Sequence, residues 1–464
     1  MNKCILGIDL GTSSVKLLAR YFDGTIKKAS ASYENMDTTP VKSWIQALIK
    51  ALKKLDCPDV SAIGLSSQVG TYIINDTDVI SWKDGIGAEE LKRLKEIFGT
   101  QEFIAHIAMP HPDIISYPLP RLLYIKEHYS ELKSVCQPKD MLLKFLTGNL
   151  VTDRYSWRGL ADPDTGIYSD YFLHKLGIDP KILPSVQAPE SIAGYITKAA
   201  SAMTGLPYGI PVYTGMNDFF ASLAGMGITD TSCLFDITGT SEHLGTLTKH
   251  LNPNSRLVSG KYLYDFVHYG VTASSGASLS FCLKELGEVN TPVKTLLKNN
   301  PPVFTPYLTG ERAPVFDADA TGMFFGLNGS CTKEAMAYSV LEGVAFSLYH
   351  IYENLEADQA NRIIVSGGAS QNALLNQLKA DLFGKEVVTL KENDTSALGA
   401  VMSAAVGTGL FQDYKEAART YCAEDIRFQP DSTLQPVLKK RYDIYKQLYP
   451  ALKNLMKEHK EANQ

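Results

Sequence analysis

An acidic residue followed by small residues lies near the start of the chain. Asp9 falls near the end of the apolar run 4–10, and Gly11, Thr12 and Ser13 follow it. Glycine lets another group approach the backbone closely, while hydroxyl and successive N–H groups donate hydrogen bonds to phosphate. A carboxylate beside such a turn suits the Mg²⁺ that accompanies a nucleotide. The pattern predicts a phosphate and metal site, but it also fits a hairpin whose aspartate caps its own turn.

A second aspartate lies where a predicted strand meets a predicted helix. The apolar segment 210–214 is typical of a short strand, and the apolar run 219–226 is typical of a helix. Asn217 and Asp218 therefore lie at a strand-to-helix junction, where the loop edge of an α/β sheet gathers ligands. Asp218 also fits an N-cap, which accepts hydrogen bonds from the first helical N–H groups. The two roles conflict, because a capping carboxylate points at its own helix.

Residues that suit a sugar follow the predicted strand at 62–66. Gln68 lies where that strand gives way to a loop, and Trp82 and Asp84 follow the next strand. An amide and a carboxylate bind hydroxyl groups, and an aromatic face covers the C–H edge of a sugar. Each of these residues also has a purely structural interpretation, as a packed tryptophan or as polar groups of a turn.

The pattern of the opening turn returns in the second half of the chain. Segment 234–244 again places an acidic residue, glycine and hydroxyl residues between apolar strands, and it contains Gly239 and Thr240. Small residues around Gly276 lie near the start of a predicted helix at 272–286. Two related halves, each with a strand-turn-strand phosphate loop, would place these loops face to face across a cleft.

A glycine turn further along suits a nucleoside. Residues 363–366 predict a strand, Gly367 and Gly368 form the turn, and Asn372 falls in the first turn of a helix that runs to 383. Paired glycines let a flat base or ribose lie against the backbone, and the N–H groups of a helix start face phosphate.

The flanking patterns predict the elements that position these residues. Segments 4–10, 14–22 and 25–33 predict strands, 41–55 an amphipathic helix, and 62–66 another strand. This order fits a mixed sheet covered by helices better than a purely parallel sheet. Because the first turn leads into a second strand rather than a helix, a dinucleotide-binding dehydrogenase is disfavoured.

Two further segments carry no predicted chemistry. Residues 152–168 have the composition of a loop with a plain turn at 162–166. Residues 439–457 predict a charged helix near the end of the chain, most simply with a solvated face.

The bulk composition limits the classes of function. The chain has 464 residues, of which 45% are hydrophobic and 20% charged, enough for two or three domains with a sizeable core. A formal net charge of −5 disfavours nucleic acid or an anionic membrane as the main partner. The 7 cysteines form no C-x-x-C pair and predict free thiols in a reducing compartment. No apolar stretch is long enough for a membrane helix, so we expect a cytoplasmic protein.

A series of motifs in this order resembles the FGGY carbohydrate kinase family, in particular its xylulokinase-like branch, within the actin-like ATPase superfamily. Together the motifs span nearly the whole chain, and an ordered series is far more specific than any single motif. The motifs are the turn at 7–13, the segment 214–227 around Asp218, the turn at 238–241, the segments 307–314 and 322–327, and the glycine turn at 366–372.

The resemblance implies an α/β fold with two ribonuclease-H-like domains, each a mixed sheet flanked by helices, and an active-site cleft between them. Residues 1–242 would form the domain that binds the sugar and carries the catalytic base, and residues 243–464 the domain that binds the nucleotide. The implied reaction is ATP-dependent phosphorylation of a hydroxyl on a ketose such as xylulose, a related pentulose or a polyol. The implied cofactors are ATP and Mg²⁺, and a homodimer is compatible with the sequence.

The resemblance also implies a role for each candidate residue. Asp218 would be the general base, and Asp9 and Asp218 would hold Mg²⁺. The substrate would contact Gln68, Trp82, Asp84, Asn217 and Asp218. The nucleotide phosphates and the adenosine would contact Gly11, Thr12, Ser13, Gly239, Thr240, Gly276, Gly368 and Asn372.

Departures from the family pattern leave two other functions open. Val69 and Gly70 stand within a segment where the xylulokinase-like branch typically has Gln-Met-His-Gly, and Phe219 stands where the family often has glutamine. These changes favour a pocket with fewer polar contacts. One alternative is therefore a nucleotide-binding sensor or structural member of the superfamily with weak or no sugar kinase activity. Another is an ATPase that releases ADP without any sugar.

Overall fold

The computed structural model describes residues 3–33, 40–108, 114–162, 164–252 and 257–462. Its first half begins with β1 to β3, α1 and β4, continues through a region of small sheets and short helices, and ends with α8. The elements are β1 (Cys4–Leu10), β2 (Ser14–Tyr21), β3 (Ile26–Ser32), α1 (Pro40–Leu55), β4 (Val60–Ser67), β5 (Tyr72–Ile74), β6 (Asp78–Ile80), α2 (Ala88–Ile97), α3 (Thr100–Ile107), α4 (Pro118–His128), β7 (Val135–Cys136), α5 (Pro138–Thr147), β8 (Val151–Asp153), α6 (Asp170–Leu176), β9 (Ser185–Gln187), β10 (Ile192–Tyr195), α7 (Lys198–Thr204), β11 (Pro211–Tyr213), β12 (Met216–Asn217) and α8 (Asp218–Gly225).

The second half begins with a strand hairpin and ends with a long helix. The elements are β13 (Cys233–Thr238), β14 (Glu242–Thr248), β15 (Val258–Tyr262), β16 (Asp265–Val271), α9 (Ser275–Phe281), α10 (Val293–Lys298), β17 (Val303–Thr305), β18 (Met323–Phe325), α11 (Lys333–Tyr352), β19 (Arg362–Gly367), α12 (Ala373–Phe383), β20 (Glu386–Leu390), α13 (Thr395–Gly407), α14 (Tyr414–Tyr421), β21 (Glu424–Phe428) and α15 (Gln435–Glu461).

Among the described residues, two seven-stranded mixed sheets organise the two halves, as predicted. In the first sheet the order is β10-β11-β4-β1-β2-β3, with β12 also paired to β4. In the second sheet the order is β15-β16-β14-β13-β19-β20-β21. In both sheets a central strand pairs antiparallel with the following strand and parallel with a later one: β1 with β2 and β4, and β13 with β14 and β19. The internal repeat predicted from the two turns is therefore present in the topology.

The central strands are buried because they are covered on both faces. Every residue of β1 is buried, and α1 covers one face with the apolar stripe that includes Trp44 and Leu48. On the other face α13 packs on β1 and β4. A Cβ atom on Gly64 of β4 would lie 1.8 Å from the carbonyl oxygen of Ala400 in α13. Glycine is thus required for this close approach of helix to sheet.

The two halves share one core between their sheets. Helix α8, at the end of the first half, crosses α13 of the second half with the two backbones in contact. A Cβ atom on Gly399 would lie 1.8 Å from the carbonyl oxygen of Ala221. Phe220 of α8, Phe235 of β13 and Leu398 of α13 belong to the same buried cluster. The contact fixes where α8 and α13 start relative to one another.

The start of the second sheet bears on the division between the domains. That sheet begins at Cys233, so a division after residue 242 passes through its first hairpin. We propose instead that the division lies between α8 and β13.

The prediction for the terminal helix is wrong in one respect. Helix α15 is not merely a solvated face, since Tyr442 and Tyr445 are each only 1% exposed and Arg441 pairs with Glu342 of α11 at 2.7 Å. In the sequence of α15, charged residues stand between the apolar residues that form a buried stripe at helical spacing. This stripe covers the second sheet's helical layer, which is how the helix adds to the core.

The cysteines and the hydropathy of the helices bear on two further predictions. All seven cysteines are free thiols, as predicted. Within the described ranges, no helix combines the length and apolar character needed to cross a membrane.

Candidate active site

A cavity of about 490 Å³ opens between the two sheets and collects most of the predicted substrate residues. It is lined from the first half by Asp9 near the end of β1, Thr12 of the β1–β2 turn, Asn217 at the end of β12 and Asp218 at the start of α8. The second half contributes Ser241, His243, Tyr269, Arg312 and Ser396. The carboxylates predicted to act together therefore face one cavity.

Asp218 faces the cavity because its neighbour caps the helix. The Oδ1 atom of Asn217 accepts the N–H of Phe220 at 3.1 Å, and this makes Asn217 the N-cap. The Nδ2 atom of Asn217 donates to the carbonyl of Tyr155 at 3.3 Å. The Oδ1 atom of Asp218 accepts the adjacent N–H of Phe219 at 2.8 Å. Asn217 therefore takes the capping role, which leaves the carboxylate of Asp218 at the cavity.

The protonation of Asp218 suits a base that works near neutral pH. Burial, together with the negative charge of Asp9, raises the pKa of Asp218 to about 7. The hydrogen bond from the N–H of Phe219 opposes this shift. A carboxylate with such a pKa is ionised in a large fraction of molecules at pH 7 and still accepts a proton readily.

Asp9 lies deep in the cavity and reaches the second half of the chain. One oxygen, Oδ2, accepts the hydroxyl of Ser396 in α13 at 2.6 Å. The other oxygen, Oδ1, is buried and makes no hydrogen bond within the described part of the chain. Burial raises the pKa of Asp9, and the hydrogen bond from Ser396 opposes the shift. A buried carboxylate oxygen without a donor fits a hard cation, which prefers oxygen ligands.

The residues predicted to bind sugar do not all reach the cavity. Gln68 and Trp82 line it, and Gln68 is held by the hydroxyl of Thr12 at 3.4 Å. Trp82 is 41% exposed, and the ammonium of Lys83 lies over its ring, 5.6 Å from the ring centre. Asp84 lies outside the lining and accepts the N–H of Ser81 at 2.7 Å, which is the turn role that its position also fitted.

The loop after β8 supplies cavity residues that the sequence analysis missed. Tyr155, Ser156 and Arg158 line the cavity, although this segment was predicted to carry no chemistry. The guanidinium of Arg158 lies over the ring of Tyr269 at 5.7 Å and donates to the carbonyl of Ser259. The loop thus joins the two halves at the cavity, and its composition gave no signal because these contacts are with distant residues.

An aromatic group from both halves forms another wall. The ring of Phe219 lies 4.5 Å from that of Tyr269 and 5.5 Å from that of His243. Burial, and then the positive charge of Arg312, lowers the pKa of His243 to about 4, so the imidazole is neutral at pH 7. The departure at Phe219 therefore builds an apolar wall beside Asp218 and not an extra polar contact.

A buried glutamate places Arg312 at the cavity. Glu311 is 4% exposed, and its carboxylate accepts the N–H groups of Ala273 and Arg312, each at 2.7 Å, and the hydroxyl of Ser347 at 3.1 Å. Burial raises the pKa of Glu311 to about 7 despite these bonds. The backbone of Arg312 is fixed, and its exposed side chain lines the cavity.

The predicted phosphate residues of the second half lie together. Gly239 and Thr240 form the turn between β13 and β14, next to Ser241, which lines the cavity. A Cβ atom on Gly276 would lie 2.1 Å from the carbonyl oxygen of Gly239. The start of α9 therefore contacts the turn directly, and only glycine permits that approach.

A buried ion cluster holds the two strands that carry this turn. The ammonium of Lys379 in α12 lies 2.5 Å from a carboxylate oxygen of Asp236 and 2.6 Å from one of Glu242. All three side chains are at most 1% exposed. The two carboxylates flank the turn on β13 and β14, so the lysine ties both ends of the hairpin to α12. No local sequence pattern indicates this cluster, because the lysine follows the turn by more than a hundred residues.

Of the two predicted adenosine residues, Asn372 lines a second cavity and Gly368 does not. This cavity has a volume of about 210 Å³ and is lined by Leu279, Leu283, Leu341 and Asn372, among others. Asn372 caps α12 through the N–H of Leu375 at 3.0 Å. Gly368 lies in the short helical turn before it, and a Cβ atom there would meet nothing within 4 Å.

The described residues contain no cluster of three or more histidine, cysteine, aspartate or glutamate side chains that could hold a metal ion. Mg²⁺ does not need such a cage, because it is commonly held by one or two carboxylates together with substrate phosphates. Asp9 and Asp218 fit that mode of binding.

Comparison with known proteins agrees with this geometry. Residues 4–225 match the N-terminal domain, and residues 235–408 the C-terminal domain, of the FGGY family of carbohydrate kinases. The xylulose kinase of Staphylococcus xylosus is 28% identical over 493 aligned positions, which cover 96% of this chain and 99% of that protein. The xylulose kinase of Bacillus subtilis (strain 168) is 28% identical over 500 positions, with 98% of both chains covered.

Solved structures share the fold. The crystal structure of gluconate kinase from Lactobacillus acidophilus superposes with a TM-score of 0.85 at 24% identity, and the match covers 97% of this chain and 98% of that one. Fold and site together define a phosphotransferase with an alcohol group as acceptor. The chain belongs to the FGGY family of carbohydrate kinases, which use ATP.

Proposed function

We propose that this kinase transfers the γ-phosphoryl group of Mg-ATP to a hydroxyl of a ketose, such as xylulose or a related pentulose or polyol. The observation that carries the proposal is the position of Asp218. Its carboxylate faces the cavity, does not cap its own helix, and lies close enough to Asp9 for the two charges to interact. Asp218 is the general base that accepts the proton of the substrate hydroxyl.

The substrate occupies the large cavity. Gln68 and Trp82 line it from the first half and suit the hydroxyl groups and the C–H edge of a small sugar. Asn217 lines it as well, although both ends of its amide already bond to the protein, so its main role is to orient Asp218. The identity of the sugar draws support from the xylulose kinases that the chain resembles at 28% identity.

The nucleotide binds mainly to the second half. The turn with Gly239 and Thr240 and the start of α9 at Gly276 donate backbone N–H groups to phosphate. The turn of Gly11, Thr12 and Ser13 approaches the transferred phosphoryl group from the other half, and Asp9 with Asp218 would hold Mg²⁺. When bound, this ion neutralises charge on the phosphates. The base and ribose occupy the cavity lined by Asn372 beside Gly368.

The test is a coupled assay of ADP release with a panel of ketoses and polyols. The variants Asp218→Asn and Asp218→Ala are compared with Asp425→Asn, which changes an exposed carboxylate outside the cavity. We expect the first two variants to lose about 10²- to 10⁴-fold in turnover with the best sugar. The Asp425 variant should match the parent. Parental turnover in Asp218→Ala would remove the proposed base.

The same assay separates the rival functions. A sensor would bind ATP tightly in calorimetry without any sugar-stimulated ADP release. A plain ATPase would release ADP at the same rate with and without sugar. The sensor hypothesis rests on the departures from the family pattern at Val69, Gly70 and Phe219. These residues line a cavity that also contains both carboxylates, so no specific observation favours that alternative.

A further inference from the structure

Two cysteines lie side by side at the end of the first sheet farthest from Asp9. The sulfur of Cys4, the first residue of β1, is 3.1 Å from the sulfur of Cys57, in the turn between α1 and β4. The strands bring these residues together, because the N–H of Cys4 donates to the carbonyl of Asp59 at 3.1 Å just before β4 begins. Sulfurs in a disulfide are about 2.0 Å apart, so small side-chain rotations would close the gap.

The two thiols differ in access and in charge. Cys57 is half-buried and Cys4 is fully buried. The sulfur of Cys57 accepts hydrogen bonds from the thiol of Cys4 and from the hydroxyl of Tyr21, 3.1 Å away. These bonds lower the pKa of Cys57 to about 6, although burial acts in the opposite direction. The backbone N–H of Asp59 and the ammonium of Lys27 act in the same direction. The same hydrogen bond, with burial, raises the pKa of Cys4.

This is the arrangement of an attacking and a resolving cysteine. The reactive form of cysteine is the thiolate, and susceptible cysteines have a lowered pKa, are accessible, and often lie next to a second cysteine. Cys57 meets all three conditions. Cys331 is also half-buried, but burial raises its pKa, and it makes no contact with another cysteine in the described residues.

We propose that Cys4 and Cys57 form a reversible intramolecular disulfide when the protein meets hydrogen peroxide. The Cys57 thiolate attacks one peroxide oxygen, the O–O bond breaks, and hydroxide leaves and takes up the proton that the thiol lost. The sulfur of Cys4 then attacks the sulfur of the resulting sulfenic acid, the S–O bond breaks, and water leaves with the Cys4 proton. Two thiols are oxidised, and one peroxide is reduced to two waters.

The disulfide would join β1 to the turn before β4 without touching the cavity. Since the two residues are 53 positions apart, the cross-link restricts a long stretch of the unfolded chain. We expect the melting temperature of the oxidised protein to exceed that of the reduced protein by roughly 5 °C. Turnover of the reduced protein does not depend on the pair.

The experiment treats the purified full chain with a stoichiometric amount of hydrogen peroxide, quenches it, and maps peptides by mass spectrometry without reduction. We expect a peptide that links Cys4 to Cys57, which disappears after treatment with dithiothreitol, and a loss of two of the seven thiols. The variants Cys57→Ser and Cys4→Ser should lack the linked peptide, and the matched control Cys331→Ser should keep it.

Two results would overturn the proposal. One is oxidation of Cys57 no faster than that of Cys331. The other is Cys57 converted to sulfinic acid, or linked to a second chain, while Cys4 stays a thiol. The peptide map of the parent protein gives this answer by itself if a serine variant fails to fold. Reduced Cys57→Ser is expected to show parental turnover, which separates this test from the assay of the proposed kinase activity.

Discussion

Replacement of Asp218 by asparagine is expected to slow phosphoryl transfer by about 10²- to 10⁴-fold while it stabilises the folded protein. The carboxylate lies in a partly closed cavity beside a second carboxylate, where its charge is poorly solvated. Asparagine has nearly the same shape, keeps an oxygen that can accept the N–H of Phe219, and carries no charge. The variant therefore removes the base and the electrostatic cost of the base together.

The size and pH dependence of the stabilisation follow from the pKa. Burial and the charge of Asp9 raise the pKa of Asp218 from 3.8 to about 7 in the fold. At pH 8 the group is ionised in both states, but less favourably in the folded one, so it destabilises the fold. Each unit of pKa corresponds to about 1.4 kcal/mol, which gives about 4 kcal/mol, an upper bound because cavity water screens the charge. As the pH falls from 7 to 4, most of the penalty disappears, because the folded group is protonated first, and the rest is lost below the unfolded pKa of 3.8.

The assay is urea denaturation of the parent and of Asp218→Asn at pH 4 and pH 8. We expect unfolding free energies within about 0.5 kcal/mol of each other at pH 4 and a clearly higher value for the variant at pH 8. The control Asp425→Asn, which removes an exposed carboxylate, should show no such difference. If the unfolding free energy of Asp218→Asn at pH 8 equals that of the parent, the charge of Asp218 does not destabilise the fold, whatever the variant's activity.

Three further substitutions test the surrounding machinery. Gly276→Ala would press a methyl group against the carbonyl of Gly239, so we expect a several-fold higher KM for ATP with the sugar KM unchanged in steady-state kinetics. Lys379→Met leaves two buried carboxylates unpaired and should lower the unfolding free energy by about 3–5 kcal/mol in urea titrations, whereas Lys415→Met, at an exposed ion pair, should cost at most about 1 kcal/mol. Ser396→Ala removes the hydrogen bond that opposes the raised pKa of Asp9, so the acidic limb of the profile of kcat/KM against pH should move to higher pH. An unchanged profile would contradict that role.

The parts of the site that were predicted from sequence are those in which the chemistry is local. The turn after β1 was recognisable because an acidic residue ends an apolar strand and small residues follow it. The junction at Asp218 was recognisable because an apolar strand and an apolar helix flank it. In both cases residues adjacent in sequence determine the backbone conformation and supply the reactive group, so the printed order of residues carries the information.

The remaining parts depend on contacts between distant residues. Ser396 donates to Asp9 across 387 positions, and Arg158 reaches Ser259 across 101. Neither residue lies in a local pattern that differs from ordinary helix or loop sequence. The role of Asn217 was also hidden, because the sequence allows either Asn217 or Asp218 to cap α8, and only the backbone geometry decides between them.

The crossing of α8 and α13 explains why these distant residues meet. Asp218 is the first residue of α8, and Ser396 is the second residue of α13. The two helices cross with their backbones in contact, and Gly399 permits this approach, so their N-terminal ends are held at a fixed separation. The proposed base therefore comes from one half, and the hydroxyl that donates to Asp9 comes from the other. A side chain at position 399 would force the helices apart and move the two groups in opposite directions, so activity should be lost even though the substituted residue lines neither cavity.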